Sequence, residues 1–135
     1  MPNGLDEEIQ NVSEVFSVGE KQLICLARAL LKKNRYLVLD EATSNVDFET
    51  DYFIQECIRT KFRDTTVITI AHRLNTIASY DKVLVLDKGE IAEFGEPHQL
   101  LQSSGLFSEM VQHTGDNAKT IKKIAHDAYL ERRKR

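Results

Sequence analysis

Leu37-Val38-Leu39-Asp40-Glu41 is a short apolar run that ends on two adjacent carboxylates. With Tyr36 in front, it has the pattern of a strand covered on both faces, as in a parallel sheet. The C-terminal ends of such strands are where α/β sheets place ligands. Adjacent acids repel, and burying either one unpaired is costly, so a fold keeps them beside a core strand when a cation or a reacting water offsets the penalty. Geometry then divides the work. One carboxylate can hold Mg²⁺ through water, because that ion dehydrates reluctantly, while its neighbour, pointing the other way, orients or deprotonates an attacking water. The bland alternative is a turn with two solvated acids, and the flanking sequence decides between the two.

Upstream, Leu23, Leu26, Ala27, Leu30 and Leu31 recur at helical spacing between Gly19 and Lys33, which predicts an amphipathic helix. Lys32, Lys33 and Asn34 suit its carbonyl end, with Asn34 the natural candidate for a left-handed turn. Downstream, Phe53, Ile54, Cys57, Ile58 and Phe62 predict a second helix, and Thr66 to Ile70 a β-branched strand. Leu74 to Tyr80 reads as a short helix and Lys82 to Leu86 as a third strand, so strands and helices alternate and the class is α/β. The turn-rich Asp87-Lys88-Gly89-Glu90 before Ile91-Ala92-Glu93-Phe94 predicts a hairpin that closes a mostly parallel sheet with an antiparallel edge. Pro97 opens a helix that Gly105 interrupts. Beyond Gly115, Ile121, Ile124, Ala125, Ala128 and Tyr129 keep helical spacing, and Arg132 to Arg135 read as a solvated, frayed basic end.

The chain has 135 residues and a formal net charge of −3, the balance of one soluble domain with no global pull toward nucleic acid or an anionic membrane. No apolar stretch approaches the ~20 residues of a membrane helix, and Met1 to Leu5 lack the features of a signal peptide. Cys25 and Cys57 have no metal-ligand spacing and are expected to be small buried hydrophobes.

In this context the sequence resembles an ATP-binding cassette (ABC) transporter nucleotide-binding domain. Phe16-Ser17-Val18-Gly19-Glu20-Lys21-Gln22 resembles the family signature, and residues 36–41 the Walker B strand with its catalytic glutamate. Ser44-Asn45-Val46-Asp47 resembles the D-loop, and Ala71-His72-Arg73 the segment of the switch histidine. The likeness covers about residues 5–103, and motifs in this order with the expected elements between them make coincidence a poor explanation. The Phe-Ser-Val-Gly form, followed by Leu-Ile-Cys-Leu-Ala-Arg-Ala-Leu, is similar to the second cassette of multidrug resistance-associated exporters of the C subfamily.

The resemblance implies the C-terminal half of a P-loop NTPase fold, a partial nucleotide-binding domain over 1–103 followed by a helical tail over 104–135. It implies ATP and Mg²⁺ as cofactors, with Glu41 and His72 catalytic, Asp40 on the metal, and Ser17, Val18, Gly19, Glu20, Gln22 and Asp47 facing nucleotide or the dimer contact. Ser17 and Gly19 at a helix start offer free N–H groups and a positive dipole end to phosphate, although Ser17 could equally cap the helix. Val18 and Glu20 depart from the family's usual Gly and Gln, and Glu20 sets a negative charge where an anion would bind. Asp47 could equally be a turn former.

No Gly-x-x-x-x-Gly-Lys-Ser/Thr stretch occurs in the 135 residues, so the phosphate grip of this superfamily is missing from them. Gly115 to Thr120 is a decoy, with Ala118 where glycine is required. The implied partners are a second nucleotide-binding domain and the transmembrane domains of an exporter, with no nucleic acid, at the cytoplasmic face of a membrane. Competing expectations are a non-catalytic module that pairs with a full cassette, or a soluble cassette ATPase acting on DNA or ribosomes.

Overall fold

The computed structural model describes residues 15–40, 46–70 and 73–134. The chain divides into two compact units, residues 1–70 and 71–135. The first contains α1 (Val18–Lys32), β1 (Tyr36–Asp40), α2 (Phe48–Lys61) and β2 (Thr66–Ile70). The two strands are parallel and in register from Tyr36↔Thr66 to Asp40↔Ile70, with α2 as the crossover that a parallel pair requires. Leu26, Ile54, Ile58 and Phe62 are buried at the centre, and Leu37, Leu39 and Val67 pack on them from the strands.

Both helices therefore cover the same face of the pair. Tyr36, Val38, Ile68 and Ile70 point the other way and are 68%, 64%, 53% and 55% exposed. This corrects the expectation of a strand covered on both faces: among the described residues of this unit, one layer of helices supplies one cover. The helix predicted over Gly19–Lys33 starts and ends one residue earlier, so Lys33 and not Asn34 takes the left-handed C-cap, with φ 49° and its N–H on the Leu30 carbonyl. On α1, Leu23, Leu26 and Leu30 turn to the core, while Ala27 and Leu31 face outward. Cys25 is exposed and Cys57 half-buried, which corrects the burial expected of both. Cys25 sits one residue, about 100° of helix rotation, from the Leu26 stripe.

The second unit contains α3 (Leu74–Ile77), β3 (Val83–Asp87), β4 (Glu90–Gly95), α4 (Pro97–Leu100), α5 (Leu106–Gln112) and α6 (Asn117–Arg133). Lys88 and Gly89 both take positive φ, 49° and 84°, the geometry of a primed hairpin turn whose twist matches its strands. The hairpin is antiparallel, with an irregularity between Val85 and Leu86. Among the described residues it forms a two-stranded sheet of its own, where an edge on a larger sheet was expected. Ala78, Val83, Val85, Phe107, Val111, Ile121 and Ala125 share one core, so α5 and α6 are packed against β3 and the end of α3.

The basic end is more ordered than expected. Helix α6 runs to Arg133, and Arg132 Nη1 donates to the carbonyls of Ser79 and Tyr80 at 3.3 and 3.2 Å. A guanidinium suits carbonyls left open at the end of a helix, here α3. Arg133 lies over the Tyr129 ring, 4.1 Å from its centroid.

Gly105 is the N-cap of α5 and brings no side-chain cap of its own. Glu93 on β4 takes over, its Oε2 accepting from the Phe107 N–H at 2.7 Å. A Cβ on Gly105 would collide with that carboxylate. Gly105→Ala is therefore expected to destabilise the chain by about 1–3 kcal/mol, and Glu93→Ala by about 1–2 kcal/mol through loss of a charge-assisted bond. In the double variant the clash is gone, so the two costs sum to less than their parts in urea denaturation. Strict additivity would show that Glu93 and Gly105 do not meet.

Candidate functional site

The signature-like segment forms the start of α1. Ser17 is the N-cap, in extended conformation with φ −62° and ψ 164°. Its Oγ accepts from the Glu20 N–H at 3.3 Å, and Glu20 Oε2 accepts from both the Ser17 N–H and the Ser17 hydroxyl at 2.8 Å. This is a reciprocal capping box, legible as Ser-x-x-Glu before an apolar run. Val18 and Gly19 then occupy the first two helical positions, whose N–H groups have no acceptor in their own helix. Val18 is exposed and Gly19 buried.

The D-loop-like segment leads into α2 in the same way. Asp47 is the N-cap, accepting from the Thr50 N–H at 3.0 Å and the Thr50 hydroxyl at 2.7 Å. The two helix starts meet at Gly19. A Cβ there would lie 2.9 Å from Thr50 Cγ2 and 3.3 Å from Val46 Cγ1, so the backbone of α1 approaches the α2 entry as only glycine permits.

Both capping acids are held below their ordinary values. Hydrogen bonds from the Ser17 backbone N–H and then its hydroxyl lower the Glu20 carboxyl from 4.5. Bonds from the Thr50 N–H and then its hydroxyl lower Asp47 from 3.8. Hydrogen bonds to the ionised form favour that form.

Asp40 is exposed at the C-terminal end of β1, opposite Ile70 at the end of β2. Glu41, Ser44, Asn45 and His72 lie outside the described residues. The two strands that lead toward Glu41 and His72 thus end side by side. Gln22 is half-buried and lines a largely apolar cleft of about 380 Å³ between α1, β1 and α2, with Val18, Cys25, Leu37 and Ile54 among its walls. Its Oε1 is inaccessible and has no hydrogen-bond partner among the described residues. Among the described residues no group of three or more His, Cys, Asp or Glu is arranged to hold a metal. Mg²⁺ asks for less, since it binds through one or two carboxylates together with substrate phosphates and water, and exposed Asp40 fits that demand.

Sequence reasoning did not single out Thr50 or Glu93, and it read Arg132 only as part of a solvated basic end. Asp47-x-x-Thr50 carried a readable capping signal, whereas the partners of Glu93 and Arg132 are set by tertiary packing.

The first unit thus has a parallel strand pair ending on Asp40 and a capped helix start upstream of it, an α/β arrangement. Residues 1–44 match the family model described as ABC transporter. The chain is 56% identical to rat ATP-binding cassette sub-family C member 3 over 114 residues, 84% of this chain and 8% of that protein. It is 49% identical to human sub-family C member 4 over 134 residues, 98% of this chain and 10% of that protein. A solved bacterial Atm1-family ABC exporter with ATP bound superposes with a TM-score of 0.74 at 41% identity, covering 85% of this chain and 20% of that one. The chain belongs to the ATP-binding cassette family, as a nucleotide-binding domain of the kind found in C-subfamily exporters. It spans about a tenth of the length of these curated relatives.

The two caps carry a pH signature. A carboxyl whose folded pKa is depressed contributes stability that is complete above its unfolded value and lost as pH falls through the folded one. Helix α1 should therefore keep its first turn above pH 4.5 and α2 above pH 3.8, each loosening on further acidification. Amide exchange at Lys21 and Asp51 measured down the pH scale, after correction for intrinsic rates, tests this. Glu20→Gln should remove the acid step at Lys21 alone, and a step that persists there would refute the assignment.

Proposed function

We propose that this chain is part of an ATP-driven exporter engine, contributing the signature surface and the hydrolytic carboxylate. The observation that carries the proposal is the start of α1, where the N–H groups of Val18 and Gly19 have no acceptor in their own helix and stand beside the Ser17 cap, at the positive end of a 15-residue helix packed onto the D-loop-like Val46. In this proposal that turn faces ATP held by a second nucleotide-binding domain. Asp40 holds Mg²⁺ through water, Glu41 orients or deprotonates the attacking water, and His72 contacts the γ-phosphate. Asp47 shapes the contact between domains, and for Gln22 a nucleotide contact requires its amide to turn out of the cleft. The bound metal would supply charge neutralisation on the phosphates. Transmembrane domains complete the assembly at the cytoplasmic face of a membrane, with no part for nucleic acid. Among the described residues no helix is long and apolar enough to cross a membrane.

A second reading concerns the 135 residues by themselves, which contain no Gly-x-x-x-x-Gly-Lys-Ser/Thr stretch. On that reading they act as a non-catalytic module that offers its signature face to a complete cassette. Either way these residues by themselves hold no γ-phosphate against Glu41, so calorimetry of the 135-residue chain with Mg-ATP should show no micromolar binding. Cross-linking to a complete cassette should rise with Mg-ATP and fall to background in Ser17→Ala. In a complete domain built around this segment, Glu41→Gln should retain ATP and lose turnover by two to four orders of magnitude, roughly the contribution of a general base. Turnover near the parent rate would remove Glu41 from the mechanism.

A further inference from the structure

We infer that Thr50 is a positioning residue that locks the signature turn to the D-loop within one cassette, a role that rests on the assignment of those two segments above. Thr50 is the third residue of α2, and its side chain has two ends doing different things. The hydroxyl donates to Asp47 Oδ2 at 2.7 Å while the backbone N–H donates to Oδ1 at 3.0 Å. A β-branched side chain has few χ1 choices, and with the hydroxyl held on Asp47 the methyl is sent toward α1. It ends against Gly19, close enough that an added Cβ would lie 2.9 Å from it. Val46, itself buried, completes the seat at 3.3 Å.

Among the described residues, the bonds that shape the turn of α1 are internal to it. Ser17 and Glu20 bond each other, and the Lys21 N–H donates to the Ser17 carbonyl at 3.0 Å. Against the α2 entry the signature turn makes a contact of shape, a methyl and an isopropyl group on a bare glycine. Close-packed contacts of this kind are stiff, because overlap rises steeply and a gap forfeits contact. A displacement of Asp47 carries Thr50 with it and so moves the seat of Gly19. Gly19 on this view is small because Thr50 and Val46 need the space, in addition to any approach by a phosphate.

Thr50 variants separate this role from ordinary helix capping. Thr50→Ser keeps the hydroxyl and loses the methyl, whereas Thr50→Val keeps the branch and loses the hydroxyl anchor. If Thr50 only caps α2, Thr50→Ser is silent at α1. If it positions the signature turn, Thr50→Ser speeds amide exchange at Lys21 and Gln22 several-fold while leaving Asp51 at the parent rate, and Thr50→Val speeds both. Gly19→Ala should be destabilising, and Thr50→Ser should restore part of the loss by making room for the new methyl. Unchanged exchange at α1 in Thr50→Ser overturns the inference, and should Gly19→Ala fail to fold, that measurement still decides.

Cross-linking of the chain to a complete cassette with Mg-ATP gives the functional arm. Thr50→Ser is expected to lower the ATP-dependent yield several-fold with the α2 cap intact. If Ser17→Ala abolishes the yield and both Thr50 variants match the parent, the role of Thr50 is overturned while the signature assignment stands. If Ser17→Ala leaves the yield unchanged, the signature assignment itself falls, and the Thr50 role with it.

Discussion

Everything in the first unit turns on how closely two helix starts can approach. Helix α1 enters beside α2 with the Cα of Gly19 facing Thr50 and Val46, so close that a Cβ at Gly19 would lie 2.9 Å from Thr50 Cγ2 and something would have to shift. That approach fixes where Ser17 and Val18 stand relative to Asp47. It also brings Leu26 of α1 over Ile54 and Ile58 of α2, so that both helices cover the Leu37, Leu39 and Val67 face of the strands. A substitution that widened the helix pair at its mouth would be felt along the whole layer, because the core is close-packed and has little slack.

Two helix starts side by side are also two positive dipole ends side by side. Each carries its own acid, Glu20 on α1 and Asp47 on α2, bonded back to the first turn. The acids satisfy donors that would otherwise be orphaned and neutralise two like-signed ends, a favourable arrangement for both. The lowered carboxyl pKa values are the protonation-state face of the same fact.

How much of this was legible depends on the range of the interaction concerned. Helix α1, strand β1, the Lys88-Gly89 hairpin turn and the Ser17–Glu20 box are set by neighbours a few residues apart, and composition and spacing carry such information. The exposed face of β1 was not legible. Val38 is aliphatic like Leu37 and Leu39 and Tyr36 is largely hydrocarbon, and chemical type alone cannot report that the helices of the unit lie on one side. Arg132 misled for a similar reason: a basic terminal run reads as solvated, yet carbonyls 52 and 53 residues upstream hold this one. Glu93 and Gly105 are intelligible only as a pair, since each alone is an ordinary strand acid and an ordinary loop glycine.

The capping box and the proposed anion site at α1 draw on one set of donors, and this constrains how the turn can work. Ser17 has a single hydroxyl proton and a single backbone N–H, and both are directed at Glu20 Oε2. Val18 and Gly19 keep their N–H groups, because no residue of their own helix lies upstream to accept from them. In the proposed function a phosphate at the turn meets those two amides first, and gains Ser17 only by displacing a carboxylate that is already well bonded. Glutamine at the same position could still accept from Ser17, without the repulsion between a carboxylate and an incoming phosphate. Glu20 thus strengthens the helix by the same charge that would oppose the proposed ligand, and Lys21, next in sequence and half-buried, is the nearest cation along the chain to offset it.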